Sequence, residues 1–388
     1  MGQNAKYAYV AMANAVEDAG LKPEDYESNP RVGGILGQAD TSAVNIDEVC
    51  KAVEGGKSVR AKIGPYRVTR TMSSSVSAVL ATLFKVQGTS YSIGSACATS
   101  AHCIGTGMQQ IQLGIQDIVF CGAGESGGWR SAWMFDAMGA LSTQYNDAPE
   151  TASRAFDTER DGFVFGAGGG VLVLESLESA TKRGAKIYGE LTGYAATSDG
   201  YDMVAPSGEG GGRAMKMAME MADKIGGERR SERHKATATA HFAPPHSSSS
   251  HPATLLPLSL SLFLFTGKKP IDYINTHGTS TPVGDAMELK AVKARFAEEG
   301  YSPYIGSTKS LTGHALGAAG VFEAIFSLLM VNKGFLAESA NLNNVVEEAE
   351  GLKMLTSRFD GDVKRVMSNS FGFGGTNCCL VFDKYEPA

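Results

Sequence analysis

YSIGSACATSAHCIGTG, residues 91–107, changes its period halfway along. TSYSIGS reads as a short buried strand. After it, Ala101, Ile104, Met108, Ile111 and Ile115 recur every three or four positions, as on one face of a helix. Cys97 therefore stands where a strand turns into a helix. Unpaired backbone N–H groups and the positive end of a helix dipole favour a thiolate over a thiol at such a place, so Cys97 is the expected nucleophile. Cys50, Cys103, Cys121, Cys378 and Cys379 lie in apolar runs or on helices and are expected in the core as free thiols.

The flanks repeat the alternation. SSVSAVLATLFKVQ reads as a helix ahead of the Cys97 strand, and DIVFCGAG (117–124) as a strand after its helix, a βαβ pattern. Upstream, a helix over 5–19 leads to the strand RVGGILGQ, bounded by Pro30 and Gly37. GGVLVLES and SLESATKRG supply a further strand and helix, and after Gly184 the pattern restarts through IYGELTGYAATSD, GRAMKMAMEMADK, IDYINTH, DAMELKAVKARF, YIGSTKS, AAGVFEAIFSLLMVNK, RVMSNSF and NCCLVFDKY. A chain of 388 residues exceeds what one core fills. The expectation is two similar α/β halves with parallel sheets, 1–184 and 185–388. GAGGG (166–170) lacks a Walker lysine and precedes a strand, so it is no phosphate loop.

Residues 227–267 share none of this grammar: Ser/Pro/His-rich, then Leu/Ser/Phe-rich, they read as an exposed, disordered low-complexity insertion. The irregular spacing of His234, His241, His246 and His251 does not suit a metal site, and none is expected. The formal charge of −6 argues against a nucleic-acid partner. No eighteen-residue apolar run or signal peptide is evident, so a soluble protein with no membrane partner is expected. KSVRAKIGPYRVTR (57–70) is basic without an acidic residue, and Lys62, Arg67 and Arg70 form a candidate docking patch for an acidic partner.

Three further motifs end strands of the second half, where open sheets place their sites: NTHGTSTPVGD (275–285), STKSLTGHALGAAG (307–320) and SNSFGFGGTN (368–377). Taken singly, His277 or His314 reads as a structural histidine. With Cys97 they make a thiol and two imidazoles in small-residue loops.

With these four motifs in this order, the chain resembles the β-ketoacyl-[acyl-carrier-protein] synthases of the elongating type, closest to synthase I, in the thiolase-like condensing-enzyme superfamily. The resemblance covers nearly all of the chain outside the insertion. It implies a layered α-β-α-β-α sandwich and a first strand ahead of MGQNAKY that this chain does not carry. It further implies a Cys97, His277, His314 triad supported by Lys309 and Glu288. Cys97 and Phe373 would form an oxyanion hole with Phe373 as gate, and Thr279, Thr281, Phe163 and Phe371 would contact substrate. The implied partner is an acyl carrier protein, docked at Lys62, Arg67 and Arg70. Substrates would ride on its phosphopantetheine with no other cofactor, and the enzyme would be a homodimer, cytoplasmic in a bacterium and in the plastid or mitochondrial matrix of a eukaryote.

The residues suit that chemistry. A thiolate can hold an acyl chain as a thioester, and two neutral imidazoles can donate to an enolate oxygen where an acid would quench the carbanion. A non-catalytic partner subunit of the same fold is the alternative; a cysteine hydrolase or a thiolase fits less well.

Overall fold

A computed structural model describes residues 1–55, 63–235 and 269–386. Strands β1 (Val32–Gly37), β2 (Ser90–Tyr91), β3 (Ile118–Glu125) and β4 (Gly168–Glu175) form a sheet in the order β2-β1-β3-β4. Every residue of β1 and β3 is buried, as expected of strands flanked on both edges and covered on both faces. The second half contributes β5 (Glu190–Ser198), β6 (Tyr273–Asn275), β7 (Tyr304–Gly306), β8 (Phe335–Leu336), β9 (Lys353–Met354), β10 (Phe359–Asp360), β11 (Arg365–Gly372) and β12 (Thr376–Asp383). Six of these make a sheet in the order β5-β12-β11-β6-β7-β9, and β8 pairs with β10 separately.

Helices α1 (Gln3–Asp18) and α2 (Ser75–Leu83) cover the outer face of the first sheet. Helix α3 (Thr99–Gln112) opens beside Cys97, α4 (Glu209–Lys235) and α5 (Pro282–Glu299) cover the outer face of the second sheet, and α6 (Ala319–Lys333) pairs with α3 between the sheets. The result is the expected α-β-α-β-α layering. Tight packing of the middle layer explains Gly105: a Cβ there would lie 2.1 Å from the ring of Tyr194 on β5. Leu316–Lys333 is long and apolar enough by composition to cross a membrane, yet 61% of it is buried in this middle layer.

The expectation of parallel sheets needs correction. β4 runs antiparallel to β3, and β12 runs antiparallel to both β11 and β5. No helix separates β11 from β12, so they can only return on themselves. Gly374 and Gly375, at φ 84° and 67°, close a three-residue loop between the paired ends Gly372 and Thr376. The insertion expected from residue 227 begins inside a helix, because GERRSERHK is rich in good helix formers and α4 continues through Lys235. Residues 236–267 of that segment lie outside the described residues. Cys103, Cys121, Cys378 and Cys379 are buried as expected, whereas Cys50 is exposed on its helix.

Candidate active site

Cys97 occupies a single 3-10 turn, Ala96–Ala98, that runs into α3. Thr99 fastens the turn: its Oγ1 accepts from Ser95 N at 2.9 Å and donates to Ala96 O at 2.8 Å. Ala96 adopts φ 47°, a left-handed conformation costly for alanine, at the residue that aims the nucleophile. Cys97 is 9% exposed and packs against Phe163 and Leu316.

The two histidines arrive on loops whose backbones are tied down. Beyond β6, Glu288 of α5 accepts from His277 N at 2.9 Å and Gly278 N at 2.8 Å, and Asp285 accepts from Thr279 N and Ser280 N. His314 is held across the two halves: its N–H donates to Val164 O at 2.8 Å and its carbonyl accepts from Gly166 N at 2.9 Å. The rings meet edge to face, with centroids 5.3 Å apart. The Cys97 Sγ and one nitrogen from each ring all lie within 4.8 Å of one another. His277 Nδ1 and both ring nitrogens of His314 are buried without a hydrogen-bond partner among the described residues.

Buried charges surround this group. Lys309, 2% exposed, ion-pairs with Glu323 of α6. Burial first, then the Lys309 ammonium, holds His277 and His314 well below the usual imidazole range, so both are neutral. Burial pushes the Cys97 thiol up to about 12, against the pull of Lys309 and of the Phe373 N–H. The expectation of a resting thiolate is therefore overturned. Desolvation outweighs the helix terminus, and the sulfur keeps its proton until a base takes it. The neutral imidazoles are bases within reach. Glu288, whose carboxyl burial raises, supports the site through the His277 backbone and not through the ring.

Cys97, His277 and His314 line a cavity of about 420 Å³ with Phe163, Phe371 and Phe373. Thr279 and Thr281 also face it, their hydroxyls 3.0 Å apart. A Cβ on Gly372 would lie 2.9 Å from Ser95 O and 3.1 Å from Cys97 N, so glycine lets the 372–375 hairpin pack closely on the backbone that carries the nucleophile. Phe373 is exposed, lines the cavity and stacks on Phe135, 6.4 Å between centroids. The basic patch is less free than its composition suggested. Arg67 is engaged by Asn45 at 2.8 Å and by Glu48, Arg70 has its Nε buried without a partner among the described residues, and Lys62 lies outside the described residues.

Sequence reasoning did not find Glu323, Glu125 or Phe135. Glu323 sits alone in the apolar run AGVFEAIF, a signal that would have marked it as paired inside the core. Glu125 ends β3 with no exposure. It accepts from Ala39 N at 2.7 Å and Gly317 N at 3.2 Å, and from Asp40 N and Asn4 Nδ2 at 3.4 Å each. It thereby ties the end of β1 to the turn carrying Leu316, a non-glycine residue at φ 46° that packs on Cys97.

Residues 1–180 match the family described as "Beta-ketoacyl synthase, N-terminal domain", and residues 264–343 match its C-terminal domain. The chain is 51% identical over 387 residues to 3-oxoacyl-[acyl-carrier-protein] synthase 1 of Haemophilus influenzae, covering 100% of this chain and 83% of that protein. It is 34% identical to the mitochondrial 3-oxoacyl-[acyl-carrier-protein] synthase of Arabidopsis thaliana, covering 97% and 73%. Among solved structures, a β-ketoacyl synthase from Burkholderia phymatum superimposes with a TM-score of 0.82 at 30% identity, covering 100% of this chain and 83% of that one. A ketosynthase solved with its type II PKS acyl-carrier protein gives 0.81 at 26% identity, covering 99% and 86%. A strand-to-helix cysteine met by two histidines from a second, similar half, in a chain matched along nearly its whole length, is accounted for in one way: this chain belongs to the β-ketoacyl synthase family of thiolase-like condensing enzymes.

Proposed function

We propose that this chain is an acyltransferase that condenses an acyl-enzyme thioester with malonyl-[acyl-carrier-protein]. The products are 3-oxoacyl-[acyl-carrier-protein] and CO₂, the elongation step of type II fatty acid synthesis. The observation that carries the reading is the convergence of one sulfur and two neutral imidazole nitrogens within 4.8 Å in a deep, mostly apolar cavity.

In the first half-reaction the Cys97 sulfur attacks the carbonyl of an acyl thioester as an imidazole takes its proton. The new C–S bond forms, the carrier thiolate leaves, and the proton goes to that thiolate. The N–H groups of Cys97 and Phe373 serve the oxyanion, and a donor of this kind is typically worth roughly a hundredfold or more in rate. In the second, the C–C bond to the malonyl carboxylate breaks and CO₂ departs. The electron pair becomes an enolate whose oxygen accepts from His277 and His314. Its carbon attacks the acyl thioester, and Cys97 leaves as the sulfur anion. Neutral imidazoles suit this step because they donate a hydrogen bond without delivering a proton to the carbanion.

Thr279 and Thr281 would hold the pantetheine arm at the mouth, Phe163 and Phe371 would line the acyl side, and Lys309 would keep both imidazoles neutral. The partner is acyl carrier protein, with Arg70 and Lys62 as approach charges and Arg67 partly spent on Glu48. The enzyme would act as a homodimer, with its substrates on the carrier's phosphopantetheine. Incubation with acyl and malonyl carrier thioesters should release CO₂ and form a 3-oxoacyl product. Both should vanish in Cys97→Ala. CO₂ release that persists unchanged in the His277→Ala, His314→Ala double variant would refute the assignment of the enolate site.

A further inference from the structure

The sequence reading expected no metal, yet the resting site has the donor set of one. We propose that the unacylated Cys97, His277 and His314 form a coordination site for a thiophilic divalent ion of the zinc class, with a fourth position open to the cavity. Thiolate sulfur and imidazole nitrogen are both ordinary zinc ligands, and zinc sites that keep an open position have three protein ligands, the number present here. In a tetrahedron with metal–sulfur and metal–nitrogen bonds of about 2.3 and 2.1 Å, ligand atoms stand roughly 3.4–3.7 Å apart. Here all three lie within 4.8 Å of each other, so side-chain rotations of about 1 Å complete the geometry.

A second, independent feature points to a ligand. His314 is 2% exposed, and neither of its ring nitrogens has a hydrogen-bond partner among the described residues, nor does His277 Nδ1. A buried imidazole with neither its N–H nor its bare nitrogen satisfied is costly unless something occupies the site. The absence of a carboxylate from the donor set argues against magnesium and calcium, which take oxygen ligands. The Lys309 ammonium opposes a cation here, but Glu323 is paired directly with it. Binding displaces the Cys97 proton to solvent and changes no oxidation state.

One consequence rests on the proposed condensing activity. The ion and the acyl chain compete for the same sulfur, so the free enzyme is inhibited reversibly and the acyl-enzyme is immune.

The test is a titration of the purified full chain with Co²⁺ alone, read by absorption. One equivalent should give sulfur-to-cobalt charge transfer in the near ultraviolet and intense tetrahedral bands in the visible. Zn²⁺ should remove both, and Mg²⁺ neither. The bands should be absent from Cys97→Ala, weakened at least tenfold in affinity in His277→Ala and in His314→Ala, and unchanged in Cys50→Ser, which removes the exposed thiol. Circular dichroism checks that each variant is folded. Absence of charge transfer in the parent protein, or its survival in folded Cys97→Ala, overturns the site. Because the readout needs no turnover, a positive spectrum from a protein inactive in condensation would count against the proposed activity and leave the metal site standing.

Discussion

Glu125→Gln keeps the size of the side chain and removes its capacity to accept on both oxygens. In the parent, one carboxylate oxygen accepts from Ala39 N and Gly317 N and the other from Asp40 N and Asn4 Nδ2, with no cation among the described residues paired to it. Burial raises this carboxyl to about 8, against the backbone N–H groups of Ala39, Asp40 and Gly317 that favour the anion, so it is fully ionised only above that pH. A glutamine must turn its NH₂ toward one pair of those donors, whichever way it is oriented. Each buried donor left unsatisfied costs about 1–3 kcal/mol, so two deprived donors predict a loss of roughly 2–6 kcal/mol on unfolding in urea at about pH 9, where the parent carboxyl is ionised. The damage should also be local. Gly317 N is the tie on the Leu316 turn, so the rate of Cys97 alkylation by iodoacetamide should change at denaturant concentrations where the protein is still folded. A variant within about 0.5 kcal/mol of the parent, with unaltered alkylation, would refute the clamp and mean that the carboxyl acts as a neutral group.

His277 and His314 lie well below the ordinary imidazole value of 6.5 in the folded protein. As pH falls below 6.5 the unfolded chain therefore takes protons that the native one refuses, and stability is lost. The slope is up to about 1.4 kcal/mol per pH unit for each residue. Urea midpoints at pH 7.5 and 5.5 should diverge less in the His277→Gln, His314→Gln double variant; equal divergence contradicts the assignment. Gly105→Ala should destabilise by more than about 1–3 kcal/mol, since its methyl would lie 2.1 Å from the Tyr194 ring, and a thermal midpoint equal to the parent's would show that the middle layer yields easily. Arg70→Glu should weaken carrier-protein binding more at low than at high salt, and Arg67→Glu less than Arg70→Glu because Glu48 already engages Arg67. Salt-independent affinities for both would exclude this face as the docking patch.

What could be read from residues alone was whatever depends on local period and order. The helix that opens beside Cys97, the two α/β halves and the loops carrying His277 and His314 follow from spacing, and the fold brings those loops to one point, whereas the buried strand expected over TSYSIGS shrinks to the exposed pair Ser90–Tyr91. Strand direction did not follow. β4 and β12 are antiparallel through pairings that no local pattern encodes, although the missing helix between RVMSNSF and NCCLVFDKY already required a hairpin. The protonated Cys97 thiol departs from the expected thiolate for a related reason. A helix terminus is visible in sequence, whereas the burial that outweighs it is contributed by Phe163 and Leu316 from distant loops. Glu323 and Glu125 are not marked by the sequence because an isolated acidic residue is ordinarily a surface one. Each closes or interrupts an apolar run, which is the local trace of a buried carboxylate.

The most direct test of the account is the intact mass of the protein after incubation with a single acyl carrier thioester, with no malonyl thioester present. The expected result is one acyl adduct, mapped to Cys97 by peptide mass, absent in Cys97→Ala and discharged when malonyl thioester is added. Folded parent protein that forms no adduct, or an adduct that persists in Cys97→Ala, would contradict it.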